Sequence, residues 1–443
     1  MSMSTKTVPK LALFPLMTKV NKQGHLCIGD CDVVDLAKEF GTPLYLFDES
    51  TLRQKCREFK SEFGRCYPDT LVIYASKAFL NRALVLILKE EGLGLDVVSG
   101  GELSIAHSVD FPMDQVYFHG NNKTPEELNL ALDWGVGRIV VDNFHELKLL
   151  NRLANKKGTD QNTLLRLTPG VDPHTHQYTT TGTIESKFGF PIATGQAEEA
   201  VNQALSAPNL NLLGLHFHLG SPIPEIQPYE LAMEIVIDFA RQMSQKFDFS
   251  LGEFDIGGGF AIPYNVNSEV PTIAKYARAL TGKLNSLVSE LGLSRSRLII
   301  EPGRAIVAQA GVALYKVGAV KEIPGIKKYV CVDGGISDNI RPPLYAAKYE
   351  ALVANKALES QRDMVTIAGK LCESGDILVR DVNLVPARPG DIIAIPVCGA
   401  YSIPMSSNYN ALPRPAIVMV KEGQARLIRR RETYQDLMNL DLI

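Results

Sequence analysis

The chain of 443 residues has little of what marks a secreted, membrane-bound or nucleic-acid-binding protein. Its formal net charge is −3, and its basic and acidic residues are mixed along the chain, so we expect no nucleic-acid or membrane partner. The apolar stretch Leu11–Met17 is too short to span a bilayer, and Pro15 interrupts it. It lacks a convincing small-residue cleavage site, so we expect no signal peptide.

Cysteine is scarce and irregularly spaced. The seven cysteines are an odd number without CxxC spacing, and no further metal ligands surround the nearest pair, Cys27 and Cys31. We therefore expect free thiols, a cytoplasmic location and no metal site. The HExxH, P-loop, GxSxG and GxGxxG signatures are also missing, which argues against protease, kinase, hydrolase and Rossmann-type functions.

The length favours two domains, and the pattern of elements changes near residue 305. Before that point, eight strand-like runs alternate with helical patterns within roughly 250 residues, which predicts a (β/α)8 barrel over residues 46–305. Thr124, Pro125 and Glu127 predict a capping box at the start of one helix. The expected strands are Leu71–Ser76, Leu93–Ser99, Gln115–His119, Arg138–Asp142, Thr163–Thr168, Leu212–His218, Glu253–Ile256 and Leu298–Glu301.

The remainder of the chain has a different pattern. Short β-like runs separated by glycine and proline predict a C-terminal β domain, a barrel or sandwich, over residues 306–443. Residues 1–45 contain no complete β-α unit, and we expect them to add to this β domain. The predicted fold class is therefore α/β, a (β/α)8 barrel plus a β domain. The β-like runs are Val312–Val320, Lys328–Val332, Met364–Ala368 and Asp391–Ile395.

Lys77 stands at the end of the first expected barrel strand. A buried strand end can partly desolvate an ammonium, which favours the neutral amine, and a neutral amine attacks carbonyls such as the aldehyde of pyridoxal phosphate. An isolated lysine in such a place more often extends to water. However, chemistry in this fold gathers at the C-terminal strand ends, and the other ends are also polar or glycine-rich: Asp96 with Ser99–Glu102, His119–Asn121, Arg166, His216 and His218, Gly257–Gly259, and Glu301–Arg304.

Several of these segments have a plausible ligand. The backbone amides of Gly257, Gly258 and Gly259 could approach a phosphate, although three glycines alone more often mark a loop. Glu301 could hold a pyridine nitrogen protonated, and Arg304 could pair with a carboxylate or phosphate. An internal ion pair between Glu301 and Arg304 is the alternative.

Two further segments allow more than one reading. His216 and His218 face the same side of a strand, where a metal would need further ligands and where one imidazole could equally stack on a cofactor ring. In Cys372–Asp376, an exposed thiol could act as a general acid, whereas a buried inert cysteine is the more common outcome.

Together these segments resemble the fold-type III pyridoxal-phosphate decarboxylases, most closely the diaminopimelate decarboxylases, from about residue 25 to 435. Many spaced motifs in one order make this resemblance more specific than any single motif. The motifs are Tyr74–Ala78, Gly94–Glu102, His119–Lys123, Ser186–Gly189, His216–Ser221, Gly257–Gly259, Glu301–Arg304, Asp333–Gly335, Arg341–Pro342, Cys372–Asp376, Gly399–Tyr401 and Arg414–Ala416. One departure is Phe79, where many relatives have asparagine.

The resemblance implies the cofactor pyridoxal 5'-phosphate and conversion of meso-2,6-diaminopimelate to L-lysine and carbon dioxide, the last step of lysine biosynthesis. It also implies a homodimer with shared active sites, in which Lys77 forms a Schiff base with the cofactor and Cys372 of the partner subunit donates a proton. The implied cofactor-binding residues are Lys77, Asp96, His218, Ser221, Gly257, Gly258, Gly259, Glu301, Pro302, Gly303, Arg304 and Tyr401. The implied substrate-binding residues are Arg304, Arg341, Tyr345, Glu373 and Tyr401.

Other functions remain open from the sequence. A decarboxylase of ornithine or arginine would be expected to offer an acidic group where this chain has Arg341. A carboxynorspermidine decarboxylase is harder to exclude, because its substrate also has a carboxylate and amines. An amino-acid racemase lacks the full set of motifs in the second domain. A non-catalytic homologue would not need Lys77, Glu301, Cys372 and Glu373 together.

Overall fold

The structure, a computed structural model, describes residues 9–173 and 180–442. The chain forms two compact units. The barrel unit comprises residues 56–262 and 270–305. The β unit comprises the described residues up to 55, residues 263–269, and the described residues from 306 onward.

Both units contain β-strands. In chain order, the strands of the described residues are β1 (Lys19–Val20), β2 (Leu26–Ile28), β3 (Cys31–Asp32), β4 (Leu44–Asp48), β5 (Thr70–Ala75), β6 (Gly94–Val97), β7 (Val116–Phe118), β8 (Arg138–Val141), β9 (Gln161–Thr168), β10 (Phe190–Pro191), β11 (Leu210–His216), β12 (Glu253–Asp255), β13 (Arg297–Ile300), β14 (Gly311–Ile323), β15 (Lys327–Val332), β16 (Leu352–Val353), β17 (Asp363–Ala368), β18 (Ile377–Leu384), β19 (Ile392–Ile395), β20 (Ala416–Lys421) and β21 (Gln424–Arg429).

Helices follow most of the barrel strands. The α-helices of the described residues are α1 (Val33–Phe40), α2 (Glu49–Cys66), α3 (Arg82–Glu90), α4 (Gly100–His107), α5 (Pro125–Asp133), α6 (Phe144–Lys157), α7 (Gln196–Leu205), α8 (Gln227–Phe247), α9 (Ile273–Glu290), α10 (Arg304–Val307), α11 (Arg341–Tyr345) and α12 (Tyr434–Met438).

Eight parallel strands close the barrel. They pair in the order β5, β6, β7, β8, β9, β11, β12 and β13, and β13 pairs back with β5 through Ile299 opposite Leu71. The predicted (β/α)8 barrel is therefore confirmed, and each strand end lies within two residues of the expected one. Closure leaves no unpaired edge in the ring and brings all eight carboxyl ends to one rim.

Apolar side chains fill the barrel, and polar caps begin its helices. Buried side chains from five different strands meet inside it, namely Ile73, Tyr117, Val140, Leu164 and Ile299. Several helices begin directly after a strand at a residue whose side chain accepts a backbone N–H. The Thr124 capping box is confirmed, because Thr124 and Glu127 each accept the other's backbone N–H. The N-cap residues of α4 and α6, Ser99 and Asn143, lie two positions after the ends of β6 and β8, so the connections there are short.

The β unit is built around the long strand β14. Its sheet runs β18, β17, β15, β14, β4, β20, β21, with β19 pairing to β14 and β16. Strand β4, from the N-terminal part of the chain, lies between β14 and β20. Alternate side chains such as Leu44, Leu46, Val312, Leu314 and Val418 are buried in one cluster.

None of the helices in the described ranges combines the length and the apolar character needed to cross a membrane. All seven cysteines are free thiols, as expected, and Cys372 is the exposed one.

Gly214 lies where β11 meets β12, and a methyl group on its α-carbon would lie 1.9 Å from the carbonyl oxygen of Glu253. That oxygen belongs to barrel backbone, so we expect Gly214→Ala to lower the free energy of unfolding by about 1–3 kcal/mol. Gly282 is the matched control: it lies inside α9 with open space around it, and Gly282→Ala should raise stability by about 0.5–1 kcal/mol. Denaturant midpoints followed by circular dichroism measure both changes. A wild-type midpoint for Gly214→Ala would contradict the close packing.

Candidate active site

Lys77 leaves the barrel wall at the end of β5. The strand ends at Ala75, and Ser76–Ala78 forms one turn of 3-10 helix. The Lys77 side chain is 39% exposed, and its Nζ lies 3.6 Å from Oδ2 of Asp96 on β6. The amine is thus partly desolvated and faces a buried carboxylate at the rim.

Asp96 is a buried acceptor that its surroundings do not satisfy. It is 1% exposed, and neither of its carboxylate oxygens has a hydrogen-bond partner among the described residues. Burial raises the pKa of Asp96, although the nearby His119 and Lys77 act in the opposite direction. Buried carboxylates without donors are uncommon, so this one favours a ligand that brings a donor.

Glu301 follows β13 and is surrounded by histidines. Its Oε1 lies 2.9 Å from Nε2 of His119, and its Oε2 lies 3.7 Å from Nε2 of His216. Burial alone would raise the pKa of Glu301, but the histidines, His119 foremost, lower it well below its usual value. Burial lowers the pKa of His216 to about 3. Glu301 is therefore a buried carboxylate that stays ionised at neutral pH.

Asp255 is a second carboxyl group beside Glu301, and it was not predicted from the sequence. Burial and the charge of Glu301 raise the pKa of Asp255 well above its usual value. Its Oδ1 accepts the backbone N–H of Gly257 at 2.9 Å. Two interacting carboxyl groups titrate apart, so Asp255 keeps a proton while Glu301 carries the charge. The sequence feature that could have identified Asp255 is its position at the end of β12, two residues before the glycine turn.

His218 lies two residues after the end of β11 and is half-buried, whereas His216 is fully buried. The backbone N–H of Gly258 donates to Nδ1 of His218 at 3.2 Å. Burial, followed by the nearby Lys77, lowers the pKa of His218 well below its usual value. Its ring is therefore neutral, with its proton on Nε2, and its orientation is fixed by the glycine turn.

The glycine turn after β12 is packed too closely for side chains. Gly257 and Gly259 have φ values of +69° and +106°, which other residues rarely adopt. A methyl group on Gly258 would lie 2.2 Å from the carbonyl oxygen of Glu301, and Tyr229 donates its hydroxyl to the Gly258 carbonyl at 2.8 Å. The turn therefore presents bare backbone at the rim.

The turn after β13 packs against the strand end that carries Lys77. The N–H of Ala75 donates to the carbonyl of Pro302 at 3.4 Å, and a methyl group on Gly303 would lie 2.9 Å from Cβ of Ala75. Arg304 is 6% exposed and donates through Nε to Oγ of Ser221 at 3.2 Å. Glu301, Arg304 and Ser221 are thus set by backbone packing around the rim.

In the β unit, Arg341 is held by two tyrosines that were not predicted from the sequence. Its Nη1 donates to the hydroxyl oxygens of Tyr264 at 3.1 Å and Tyr349 at 2.5 Å. Tyr345, which the sequence did indicate, is half-buried at the end of α11. Tyr264 lies 77 positions from Arg341, and no motif in the sequence links them.

The loop Cys372–Asp376 has an exposed tip and a buried end. The side chains of Cys372 and Glu373 are exposed, so the reading of Cys372 as a buried residue is wrong. The N–H of Cys372 donates to Oδ1 of Asn410 at 3.0 Å. Asp376 is 3% exposed and accepts the N–H groups of Ile336 at 2.7 Å and of Leu371 at 2.8 Å.

The predicted site residues divide between the two units. Tyr401 belongs to the β unit, where it adopts a φ of +60° after Gly399, whose added methyl group would lie 1.9 Å from the Val307 carbonyl oxygen. The group at the barrel rim comprises Lys77, Asp96, His218, Ser221, Gly257, Gly258, Gly259, Glu301, Pro302, Gly303 and Arg304. The predicted residues in the β unit are Arg341, Tyr345, Cys372, Glu373 and Tyr401.

The chain is similar to known proteins over nearly its whole length. The family model described as pyridoxal-dependent decarboxylase, pyridoxal binding domain, matches residues 49–308. The diaminopimelate decarboxylase of Bacillus subtilis is 45% identical over 425 residues, which cover 96% of this chain and 97% of that protein. The diaminopimelate decarboxylase of Synechocystis is 43% identical, with coverages of 98% and 94%.

A solved structure agrees with these matches. The crystal structure of diaminopimelate decarboxylase from M. jannaschii in complex with L-lysine has a TM-score of 0.91 and 35% identity to this chain, and the match covers 97% of this chain and 98% of that one. Both the barrel and the β unit fall within these alignments. The chain belongs to the diaminopimelate decarboxylases, within the pyridoxal-dependent decarboxylase family.

Proposed function

We propose that this protein decarboxylates meso-2,6-diaminopimelate to L-lysine and carbon dioxide, the last step of lysine biosynthesis, with pyridoxal 5'-phosphate as its cofactor. The observation that carries this proposal is the barrel rim, where the amine of Lys77 and the ionised carboxylate of Glu301 stand on neighbouring strands β5 and β13. The membership of the chain in the diaminopimelate decarboxylases supports the same reaction and the same cofactor.

The rim residues fit this cofactor. The two buried oxygens of Asp96 have no hydrogen-bond donor among the described residues, and the glycine turn of Gly257–Gly259 leaves only backbone at the rim. Lys77 would hold the aldehyde carbon and Glu301 the ring nitrogen, while the two glycine turns, Ser221 and Tyr401 would hold the phosphate. When bound, pyridoxal phosphate withdraws electrons from the substrate carbon that loses its carboxylate.

Glu301 can keep a proton on the ring nitrogen because its own neighbours favour its charge. His119 lies 2.9 Å away, and Asp255 retains its proton, so a single negative charge remains for the ring nitrogen. His119, His216 and Glu301 also have ligand atoms within 4.8 Å of one another and could hold a metal ion. We propose that these residues serve the cofactor and not a metal ion, because the family binds pyridoxal phosphate.

His218 has the properties of a stacking partner. It is neutral, it retains exposed surface that His216 lacks, and Gly258 fixes its orientation. A neutral aromatic face does not repel the positive charge that Glu301 holds on the ring. We therefore propose that His218, rather than His216, lies against the cofactor.

The two ends of the substrate differ only in configuration. Because the product is L-lysine, the end that reacts is the D-end, and the L-end keeps its carboxylate. We propose that Arg341, with Arg304 and Tyr345, binds this distal carboxylate, and that Glu373 binds the distal amine. Ornithine or arginine would instead bring a distal cation toward Arg341, which disfavours both as substrates.

We propose a homodimer in which Cys372 and Glu373 act at the site of the partner subunit. The support within the chain is that both side chains are exposed at the tip of a loop whose base Asp376 secures through two backbone bonds. An exposed thiol can return a proton to the substrate carbon after carbon dioxide leaves. Seven free thiols suit a reducing compartment, so we also propose a cytoplasmic location.

Lys77→Ala should abolish turnover and the visible absorbance of the enzyme-linked cofactor, because no other described amine stands beside Asp96 at the rim. The protein should still fold, since a turn at a strand end accepts a small side chain. Lys148→Ala, at an exposed position of α6, is the control and should behave as wild type. Wild-type activity of purified Lys77→Ala would refute the cofactor assignment.

Arg341→Ala should weaken the use of meso-diaminopimelate much more than the binding of cofactor. Loss of a charge-assisted hydrogen bond is worth about 1.5–3 kcal/mol, or roughly 10- to 150-fold in kcat/KM. Steady-state kinetics and a cofactor titration on the same preparation separate the two effects. Unchanged substrate kinetics would remove Arg341 from the substrate site.

Mixing two inactive variants tests the shared site. If Cys372 serves the site of the partner subunit, then Lys77→Ala and Cys372→Ala protein should regain activity when their subunits exchange. One site of a mixed dimer then carries both lesions and the other carries neither. Random exchange makes half of the dimers mixed, so recovery should approach about a quarter of wild-type activity. Mass spectrometry of tagged subunits monitors the exchange. If subunits exchange but no activity returns, then Lys77 and Cys372 act within one chain or Cys372 is structural.

A further inference from the structure

Arg341 carries a positive charge inside the β unit, and no acidic side chain of the described residues forms a salt bridge with it. It is 6% exposed, and within residues 9–173 and 180–442 its guanidinium bonds only to the phenol oxygens of Tyr264 and Tyr349. Buried charges are normally paired with an opposite charge, because removing an ion from water is costly. The unpaired guanidinium therefore favours an anion that comes from outside the chain.

The two tyrosines use only one nitrogen of the guanidinium. Both hydroxyl oxygens accept from Nη1, which has two N–H groups, so the donors of that nitrogen are both used. The side edge formed by Nε and Nη2 is an edge that binds a carboxylate through two parallel hydrogen bonds. Nε and Nη2 of Arg341 have no hydrogen-bond partner among the described residues, but neither atom is fully buried. This edge is therefore open to solvent.

The rings add a geometric constraint to the two hydrogen bonds. They meet edge to face with centroids 5.6 Å apart, and the guanidinium carbon lies 5.1 Å from the Tyr264 centroid and 5.7 Å from that of Tyr349. Tyr264 reaches Arg341 because residues 263–269 pack with the β unit, although they lie between two barrel segments in sequence. Two rings and two oxygens therefore fix the plane of the guanidinium.

We propose that Tyr264 and Tyr349 are positioning residues that determine specificity: they fix Arg341 through neutral acceptors and so reserve its charge for a substrate carboxylate. A carboxylate in place of either phenol would orient the guanidinium equally well but would neutralise it. The inference rests on the function proposed above, in which that carboxylate belongs to the L-end of meso-diaminopimelate. L-lysine keeps this carboxylate, whereas cadaverine, the diamine that corresponds to lysine without it, does not.

The first test removes each hydroxyl and keeps each ring. Tyr264→Phe and Tyr349→Phe should raise KM for meso-diaminopimelate and the inhibition constant of L-lysine by about 3- to 10-fold, the range expected for one hydrogen bond. The inhibition constant of cadaverine should not change, and kcat should change less than KM. Tyr67→Phe is the control: its buried hydroxyl bonds to the Ser296 carbonyl at 2.6 Å, before the start of β13, and the variant should match wild type.

The second test changes the charge beside Arg341. Tyr264 is only half-buried, so Tyr264→Gln and Tyr264→Glu should both fold, which thermal unfolding checks. Both retain an acceptor, but only Glu neutralises the guanidinium, so it should weaken L-lysine inhibition about tenfold more than Gln, in line with a bond to a charged group. Equal effects of Gln and Glu, or equal shifts for L-lysine and cadaverine in the Phe variants, would overturn the inference. A wild-type enzyme without activity on meso-diaminopimelate would instead overturn the proposed function.

Discussion

An ionised carboxylate kept inside a protein is the constraint on which the barrel rim depends. Glu301 is 2% exposed, and burial by itself would neutralise it. Its charge persists because His119 lies against one oxygen, His216 lies near the other, and Asp255 holds a proton instead of a second charge. Each of these groups comes from a different strand end, so only the closed barrel assembles the set. The closed barrel is therefore needed for Glu301 to keep its charge, as well as for its neighbours to come together.

The β unit also contains a buried charge, that of Arg341, but its surroundings differ from those of Glu301. At Glu301 the surroundings supply compensating groups, whereas at Arg341 the surroundings supply neutral phenols and leave the charge uncompensated. The first arrangement would suit the cofactor ring proposed for this site, because the charge of Glu301 would have to persist between turnovers. The second would suit the substrate carboxylate proposed for Arg341, because such a ligand would complete the pairing only while it is bound.

The sequence predicted the barrel well because its signals are local. Alternating strand and helix patterns gave all eight strands, and strand-end residues such as Lys77 and Gly257–Gly259 stood out within short windows. The roles of Asp255 and His119 were not predicted, because the pKa values around Glu301 depend on contacts between strands that are distant in sequence. The pairing of Tyr264 with Arg341 was missed for the same reason. Its short segment lies between barrel elements but packs with the β unit.

Strand β4 carries a consequence for how this chain is made. It emerges early from the ribosome, yet its two sheet neighbours are β14 and β20, and residue 416 at the start of β20 is synthesised about 370 residues after residue 44. At a translation rate of about 5–20 residues per second, this apolar strand waits about 20–70 s with an open edge. Unpaired strand edges are templates for aggregation. The pairing of β4 with β20 therefore cannot form until residues 416–420 have been synthesised, and that edge of β4 stays open until then.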